Sequence, residues 1–153
     1  MEFGTIEREI HIDATPEIVF EVVSSPEHLK EWWVDEAELK SATPGAVGEF
    51  AWGSEEEPRS NVEPFTVVEA DPPHRFSFRW IYDEAGATGN SLLVTIDLVP
   101  AGTGTMLRLT ESGFREKGWE IAVLEQQYRE HGEGWDIFVP RLAEYAGRLA
   151  ATR

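Results

Sequence analysis

The first third of the chain changes from a hydrophobic period of two to a helical pattern. Residues 5–12 (TIEREIHI) alternate, with isoleucines on one parity and polar residues on the other, which is typical of a half-buried strand. Arg8 is the one charged residue on the apolar parity. Thr15-Pro16 and Ser25-Pro26 each place a helix-capping residue before a proline that suits the first helical position. They predict two short consecutive helices, the second ending near Trp33.

The period of two returns between residues 37 and 113. Strands are predicted at residues 48–52, 62–70, 75–82, 91–99 and 105–113, with a polar loop at 53–61 and a flexible hairpin loop at 83–90. Pro64 indicates an edge position or a bulge at the start of its strand. Because short turns join neighbouring strands, the region 37–113 is predicted to form an antiparallel meander of six strands, five of them with the bounds given above.

The C-terminal region has helical periodicity. Residues 119–129 carry one apolar stripe, and Gly132 and Gly134 separate it from a second stripe in residues 133–153. The second stripe has steps of three and four, at Trp135, Phe138, Leu142, Tyr145 and Leu149. Two helices are therefore predicted, the last with a kink at Pro140. An amphipathic helix needs an apolar partner surface, and the meander can supply it.

These elements together predict an α+β fold. An antiparallel sheet with helices collected on one side is expected to curl around the last helix, while the two short helices close one end. The chain has 153 residues, so residues 1–153 are expected to form a single domain.

Composition excludes several classes of partner. The chain has 29 acidic and 13 basic residues and a net charge of -16, which argues against binding to nucleic acid and to anionic membranes. No apolar run approaches the roughly 20 residues of a membrane span, and the N-terminus does not resemble a signal peptide. The absence of cysteine excludes disulfides and is compatible with the cytoplasmic location that we expect.

Several segments, in this order, resemble a known family. They are residues 10–20 (IHIDATPEIVF), 26–33 (PEHLKEWW), 48–50 (GEF), 76–80 (FSFRW), 109–114 (LTESGF) and 134–135 (GW). The chain resembles a START-like, or helix-grip, domain of the SRPBCC superfamily, in the branch related to the C-terminal domain of the heat-shock-protein-90 ATPase activator. The resemblance implies a curved antiparallel meander sheet wrapped around a long C-terminal helix, with two short helices between the first and second strands.

The same resemblance says less about function. The superfamily includes lipid and hormone carriers, aromatase/cyclases and many small uncharacterised proteins, so the fold does not specify an activity. Related domains often self-associate, which makes a homodimer compatible with the resemblance. The eukaryotic activator carries a separate N-terminal domain for which this chain has no room, so chaperone activation is not implied directly.

Inward-facing aromatic residues are the best candidates for a ligand pocket between the sheet and the last helix. The predicted ligand-binding residues are Trp32 and Trp33 at the entrance, with Phe50, Trp52, Phe78, Trp80, Tyr82, Val94, Ile96, Leu109, Glu111, Trp135, Phe138 and Leu142. The same large side chains, together with Phe76, could instead fill the space as a solid core. The sequence leaves both alternatives open.

Glu111 is the most informative polar residue on the inward parity, because it shares a face with Leu107 and Leu109. If it is buried, it could act as an acid, a base or a ligand anchor. In the alternative interpretation it lies in water at the strand end or pairs with an arginine. Tyr82 and Tyr128 could add hydroxyl donors, or could lie with their hydroxyl groups in water.

Other kinds of site are not indicated. The four histidines, His11, His28, His74 and His131, follow no metal-ligand spacing. The chain has no GxSxG motif, and its glycines form no phosphate-binding loop. No metal and no cofactor are therefore predicted.

Three functional hypotheses follow from the sequence. The leading one is binding of a small hydrophobic or aromatic ligand in an internal cavity. The second is a cyclase- or hydratase-type enzyme acting on an aromatic or polyketide-like substrate, in which Glu111, helped by Tyr82 or Tyr128, does general acid/base work. The third is a chaperone-regulating interaction module, which would need an exposed apolar patch.

Overall fold

Seven strands form one antiparallel sheet in the computed structural model, which describes residues 4–82 and 91–153. The strands are β1 (Thr5–Ile12), β2 (Glu36–Glu38), β3 (Val47–Trp52), β4 (Asn61–Asp71), β5 (Arg75–Trp80), β6 (Leu92–Ala101) and β7 (Gly104–Ser112). Their spatial order is β1-β7-β6-β5-β4-β3-β2. Strands β2 to β7 form the six-stranded meander, and β1 pairs with β7. The predicted α+β helix-grip architecture is confirmed.

Two short helices, α1 (Pro16–Ser24) and α2 (Pro26–Trp32), follow β1 as predicted. The Oγ1 atom of Thr15 accepts a hydrogen bond of 3.4 Å from the backbone N–H of Ile18, which caps α1. A 3-10 helix, Arg115–Lys117, then precedes the C-terminal helix. In the described ranges, no helix combines the length and apolar character that crossing a membrane requires.

The C-terminal helix α3 (Ile121–Ala151) is one continuous element of 31 residues. The predicted separation into two helices at Gly132 and Gly134 is therefore wrong. Arg8 supplies part of the reason, because its Nη2 atom donates a hydrogen bond of 3.4 Å to the Gly132 carbonyl and its Nε atom donates one of 2.6 Å to Asp136 Oδ1. These contacts hold the helix against β1, and they also explain why a charged residue lies on the apolar parity of that strand.

The strand ends differ from the prediction at the same side of the sheet. β5 ends at Trp80 instead of residue 82, because Ile81 has a left-handed backbone with φ of 55°. On one side, Pro64 of β4 pairs with Glu49 of β3. On the other side, the pairing of β4 with β5 in the described residues begins only at Phe65, so Pro64 lies at a local edge. Such a local edge tolerates a proline. The irregularity of β4 lies between Val67 and Glu69, and the predicted hairpin loop at residues 83–90 lies outside the described residues.

The core lies between one face of the sheet and the helices. The sheet contributes Phe76, Phe78, Trp80, Val94, Ile96, Leu107 and Leu109. Helix α3 contributes a stripe with steps of four, three and four, at Trp135, Val139, Leu142 and Ala146. None of these side chains is more than 6% exposed, so α3 packs along the sheet over much of its length.

The continuity of α3 can be tested with two glycine substitutions. A Cβ at Gly134 would meet no atom within 4 Å, so Gly134→Ala should raise the free energy of unfolding by about 1 kcal/mol through helix propensity. A Cβ at Gly132 would lie 3.3 Å from Arg8 Nη2, so Gly132→Ala should give a smaller gain or a loss. Urea unfolding measures both, and a destabilising Gly134→Ala would contradict a continuous helix.

Candidate functional site

A pocket of about 180 Å³ lies between α3 and the β5–β4–β3 side of the sheet. Five aromatic side chains contribute to its wall: Trp33, Trp52, Trp80, Trp135 and Phe138. Glu130, His131 and Gly134 complete the lining. The pocket is thus an aromatic recess with two polar side chains, Glu130 and His131, on its helical side.

Secondary structure brings these residues together from four elements. Trp52 and Trp80 are the last residues of β3 and β5. His131, Gly134, Trp135 and Phe138 are spaced by three, one and three residues, so they lie on one face of α3. Trp33 is the residue that ends α2. Glycine at position 134 leaves space between the larger side chains on the helix.

Trp33, which lines this pocket, packs closely against other aromatic side chains. Its ring centroid lies 4.6 Å from Phe50, 5.2 Å from Trp135 and 5.3 Å from Trp80. It also lies 6.1 Å from Phe78. The aromatic residues around Trp33 therefore form a packed cluster, and several of them are also walls of the recess.

The predicted ligand-binding residues divide into two groups. Trp33, Trp52, Trp80, Trp135 and Phe138 line the pocket. The others predicted as apolar lining, namely Phe50, Phe78, Val94, Ile96, Leu109 and Leu142, are buried in the core. Trp32, predicted at the entrance, is also buried, and its Nε1 atom donates a hydrogen bond of 3.1 Å to the Val22 carbonyl.

The two tyrosines that were candidates for hydroxyl donors are engaged elsewhere. Tyr82 Oη lies 2.7 Å from Thr66 Oγ1 and 2.9 Å from the Arg79 carbonyl. Tyr128 Oη donates a hydrogen bond of 2.8 Å to the Thr5 carbonyl. Both hydroxyl groups therefore hold local structure.

Glu111 is fully buried, with 0% of the residue exposed. Its Oε2 atom accepts a hydrogen bond of 2.8 Å from Trp80 Nε1. Its Oε1 atom accepts one of 2.8 Å from Trp135 Nε1 and lies 2.9 Å from His131 Nδ1. The sequence left open a buried carboxylate or one in water or paired with an arginine; the structure shows a buried carboxylate held by two indoles and an imidazole.

His131 connects this buried carboxylate with the pocket. Its side chain is 14% exposed, and its ring makes edge contacts with Trp80 at 5.6 Å and Phe114 at 5.5 Å. Sequence reasoning considered His131 only as a metal ligand and missed this role. The available signal was its spacing of four residues from Trp135, which places both on the same helix face.

Charged groups also lie near the imidazole. Burial raises the pKa of the half-buried Glu63 carboxyl, while the charges of His131 and Lys117 act in the opposite direction. Lys117 Nζ donates a hydrogen bond of 2.7 Å to the Ile81 carbonyl and lies 5.2 Å from the centre of the Trp119 ring. In the described part of the chain, no three His, Asp or Glu side chains are grouped to hold a metal ion.

The chemistry available in the pocket follows from this arrangement. Indole faces can stack on a flat apolar ring, and an imidazole supported by a carboxylate can exchange a hydrogen bond or a proton with it. Glu111 itself is enclosed by its three partners, so His131 is the member of the pair that lines the pocket.

Comparison with known proteins relates the chain to one family. The model of the family "Activator of Hsp90 ATPase homolog 1-like protein" matches residues 13–147. No curated protein matches the chain.

Solved structures show the same fold. Protein MLL2253 from Mesorhizobium loti has a TM-score of 0.74 at 23% identity, over 94% of this chain and 97% of that one. The Aha1 dimer from Colwellia psychrerythraea has a TM-score of 0.74 at 17% identity, over 94% and 96%. DynU16, from the dynemicin biosynthetic locus, has a TM-score of 0.71 at 22% identity, over 98% of this chain and 49% of that one.

The hydrogen bonds of Glu111 generate a stability prediction. In Glu111→Gln the amide NH₂ replaces one acceptor oxygen, so at least one buried N–H loses its partner. The expected cost is about 1–3 kcal/mol of unfolding free energy, measured by urea denaturation.

A matched control for that substitution is Glu9→Gln. Glu9 is exposed and bonded to Arg108 at 3.0 Å, and an exposed ion pair contributes about 0–1 kcal/mol. Equal effects of the two substitutions would show that the three N–H groups do not depend on the Glu111 carboxylate.

Proposed function

The chain belongs to the Activator of Hsp90 ATPase homolog 1-like family, within the helix-grip SRPBCC superfamily, and within that fold we propose that it binds a small aromatic molecule. The observation that carries the proposal is the recess lined by Trp33, Trp52, Trp80, Trp135 and Phe138. The ligand lies between these side chains on α3 and the ends of β3 and β5.

The size of the recess favours a compact ligand. Its volume is about 180 Å³, whereas an apolar cavity of roughly 150 Å³ in another protein holds one benzene molecule. Pockets for drug-sized ligands span about 300–1,000 Å³. The proposed ligand is therefore a one-ring compound, or a larger molecule that inserts one ring.

The aromatic lining favours an aromatic ring as the ligand in preference to an aliphatic chain. Trp80 and Trp135 are 6% and 4% exposed, and their N–H groups are fixed by Glu111. Their ring planes are thus held before a ligand arrives, which lowers the entropic cost of binding. An aromatic ring can make offset or edge contacts with these indoles.

General acid/base catalysis in the same pocket is the second candidate, and the contact between Glu111 and His131 favours it. His131 would be the acid or base that touches the substrate, and Glu111 would position it. In this form of the cyclase- or hydratase-type hypothesis the acid or base is a histidine, since the hydroxyl groups of Tyr82 and Tyr128 are bonded elsewhere.

The remaining hypotheses stay predictions. A homodimer is a proposal that draws on the Aha1 dimer of the same fold. A chaperone-regulating surface would need a contiguous apolar patch. The large exposed apolar residues of the described ranges are spread over four elements: Val47, Val68, Val99, Ile121, Val123 and Ile137. A cytoplasmic location is likewise proposed from the sequence.

Ligand binding can be tested by filling the pocket from the helix. Gly134 lines the recess, and a Cβ there would meet no atom within 4 Å, so Gly134→Leu should occupy ligand space without disturbing the backbone. Toluene, indole and 4-nitrotoluene are titrated against thermal unfolding and tryptophan fluorescence. A ligand at 100 times its Kd should stabilise the wild type by about 2.7 kcal/mol, and Gly134→Leu should weaken binding at least tenfold.

Gly147→Leu is the control for that experiment. Gly147 also lies within α3, and a Cβ added there would meet no atom within 4 Å, but it is thirteen residues from Gly134 along the helix. It should keep wild-type binding. If no aromatic compound stabilises the wild type, or if both variants bind equally well, the pocket is not the binding site.

Catalysis is tested with 5-nitrobenzisoxazole, an aromatic probe that opens when a base removes its C3 proton. The proton goes to His131 Nε2, the N–O bond breaks, and the product is a nitrile with a coloured phenoxide. The wild type should open the probe faster than His131→Gln by about 10²-fold or more, the usual contribution of a positioned base. Equal rates would exclude His131 as an accessible base.

A further inference from the structure

The proton on His131 is fixed by its buried partner. Glu111 Oε1 lies 2.9 Å from His131 Nδ1, and both carboxylate oxygens already accept indole N–H groups. Because an ionised carboxylate can only accept hydrogen bonds, Nδ1 carries the hydrogen. In the neutral ring, Nε2 is then an acceptor with a free lone pair.

The Nε2 atom is available to a ligand. Among the described residues, no hydrogen-bond partner of Nε2 is present, whereas every side-chain nitrogen or oxygen that is sealed from solvent there has one. Nε2 therefore retains exposed surface, and His131 is part of the pocket lining. The recess offers an aromatic surface with two polar side chains on the helical side, and the acceptor of His131 adjoins the indoles of Trp80 and Trp135.

We infer that the pocket selects aromatic molecules that carry an acidic hydroxyl group, that is, phenols. The inference rests on the proposed function and names its ligand class. The ring stacks on the indoles, and the phenolic O–H donates its hydrogen bond to His131 Nε2. An aromatic molecule without a donor fills the same space but leaves this acceptor unpaired, which costs affinity.

The proton can also move along this hydrogen bond. The phenolic O–H bond breaks, its electron pair stays on the oxygen, and an N–H bond forms at Nε2. The resulting imidazolium lies between the phenolate and the Glu111 carboxylate, so charges alternate along the line.

The surrounding charges decide between phenols and aromatic acids. Acidic groups at or near the imidazole are Glu111 on β7, Glu63 on β4 and Glu130 on its own helix, and the charge of Lys117 also acts on Glu63. The chain as a whole has a net charge of -16. A phenol enters neutral and the proton transfer leaves the net charge of the complex unchanged, whereas an aromatic carboxylate enters as an anion and is repelled.

Three matched probes test the inference: 4-nitrophenol, 4-nitrotoluene and 4-nitrobenzoate. 4-Nitrotoluene has the shape of 4-nitrophenol without the O–H, and 4-nitrobenzoate brings its own charge. The wild type should bind 4-nitrophenol at least tenfold more tightly than either of the others. In a buffer whose pH is below the pKa of free 4-nitrophenol, binding should also produce the yellow absorbance of the phenolate.

His131→Gln supplies the decisive comparison. The glutamine amide can still donate to Glu111, and it can accept a hydrogen bond, but it cannot take a proton. This variant should lose the yellow absorbance and the preference for 4-nitrophenol over 4-nitrotoluene, and thermal unfolding should show that it remains folded. Retained yellow absorbance in the variant would overturn the role of His131.

The outcomes separate the two levels of the proposal. If the wild type binds 4-nitrotoluene and 4-nitrophenol equally, or prefers 4-nitrobenzoate, the pocket binds aromatic rings but the phenol inference is wrong. If the wild type binds none of the three probes, the proposed function and the inference both fail. A tenfold preference for the phenol together with the absorbance change supports both.

Discussion

The buried carboxylate of Glu111 is the interaction on which the rest of the site depends. Removing an ionised group from water costs several kcal/mol, and hydrogen bonds to a charged group return about 1.5–3 kcal/mol each. Three N–H groups surround Glu111 and offset the cost of burying it: Trp80 from β5, and His131 and Trp135 from α3. One carboxylate on β7 therefore fixes the spacing between strand and helix and the orientation of two indoles and an imidazole. Three residues of the pocket lining are oriented by that network.

The same network explains why this region contains an aromatic recess and not a completely filled core. The indoles of Trp80 and Trp135 turn their N–H edges toward Glu111, so their orientation is set by hydrogen bonds as well as by packing. A side chain held in this way cannot rotate to fill neighbouring space without losing a buried hydrogen bond. Gly134, one residue before Trp135, adds no side chain to the gap. Packing thus holds the wall formed by Trp33, and hydrogen bonds to Glu111 hold the walls formed by Trp80 and Trp135.

Local patterns predicted the fold well and the site only in part. The alternation of apolar and polar residues predicted the long strands, because residues two apart lie on the same face of a strand. The Thr-Pro and Ser-Pro pairs predicted the starts of α1 and α2. The continuous helix could not be predicted, since the contact between Arg8 and Gly132 that accompanies it joins residues 124 apart in sequence. For Glu111 the sequence identified the inward parity but could not supply its partners, which come from residues 20 to 31 positions away. Trp80 and Trp135, predicted as aromatic lining, also donate hydrogen bonds to Glu111. His131, considered only as a metal ligand, is a polar residue of the pocket.

Through Trp33, the volume of the pocket depends on the C-terminal end of α2. The ring belongs to the residue that terminates α2, where the backbone N–H still bonds to the Leu29 carbonyl at 3.0 Å. Its position at the pocket therefore depends on the last turn of a seven-residue helix as well as on its contacts with the sheet. A change that unwinds this turn would withdraw the ring from the aromatic cluster and join the recess to the space that Trp33 now occupies. The volume open to a ligand is thereby coupled to the local stability of α2, the shortest α-helix in the described residues.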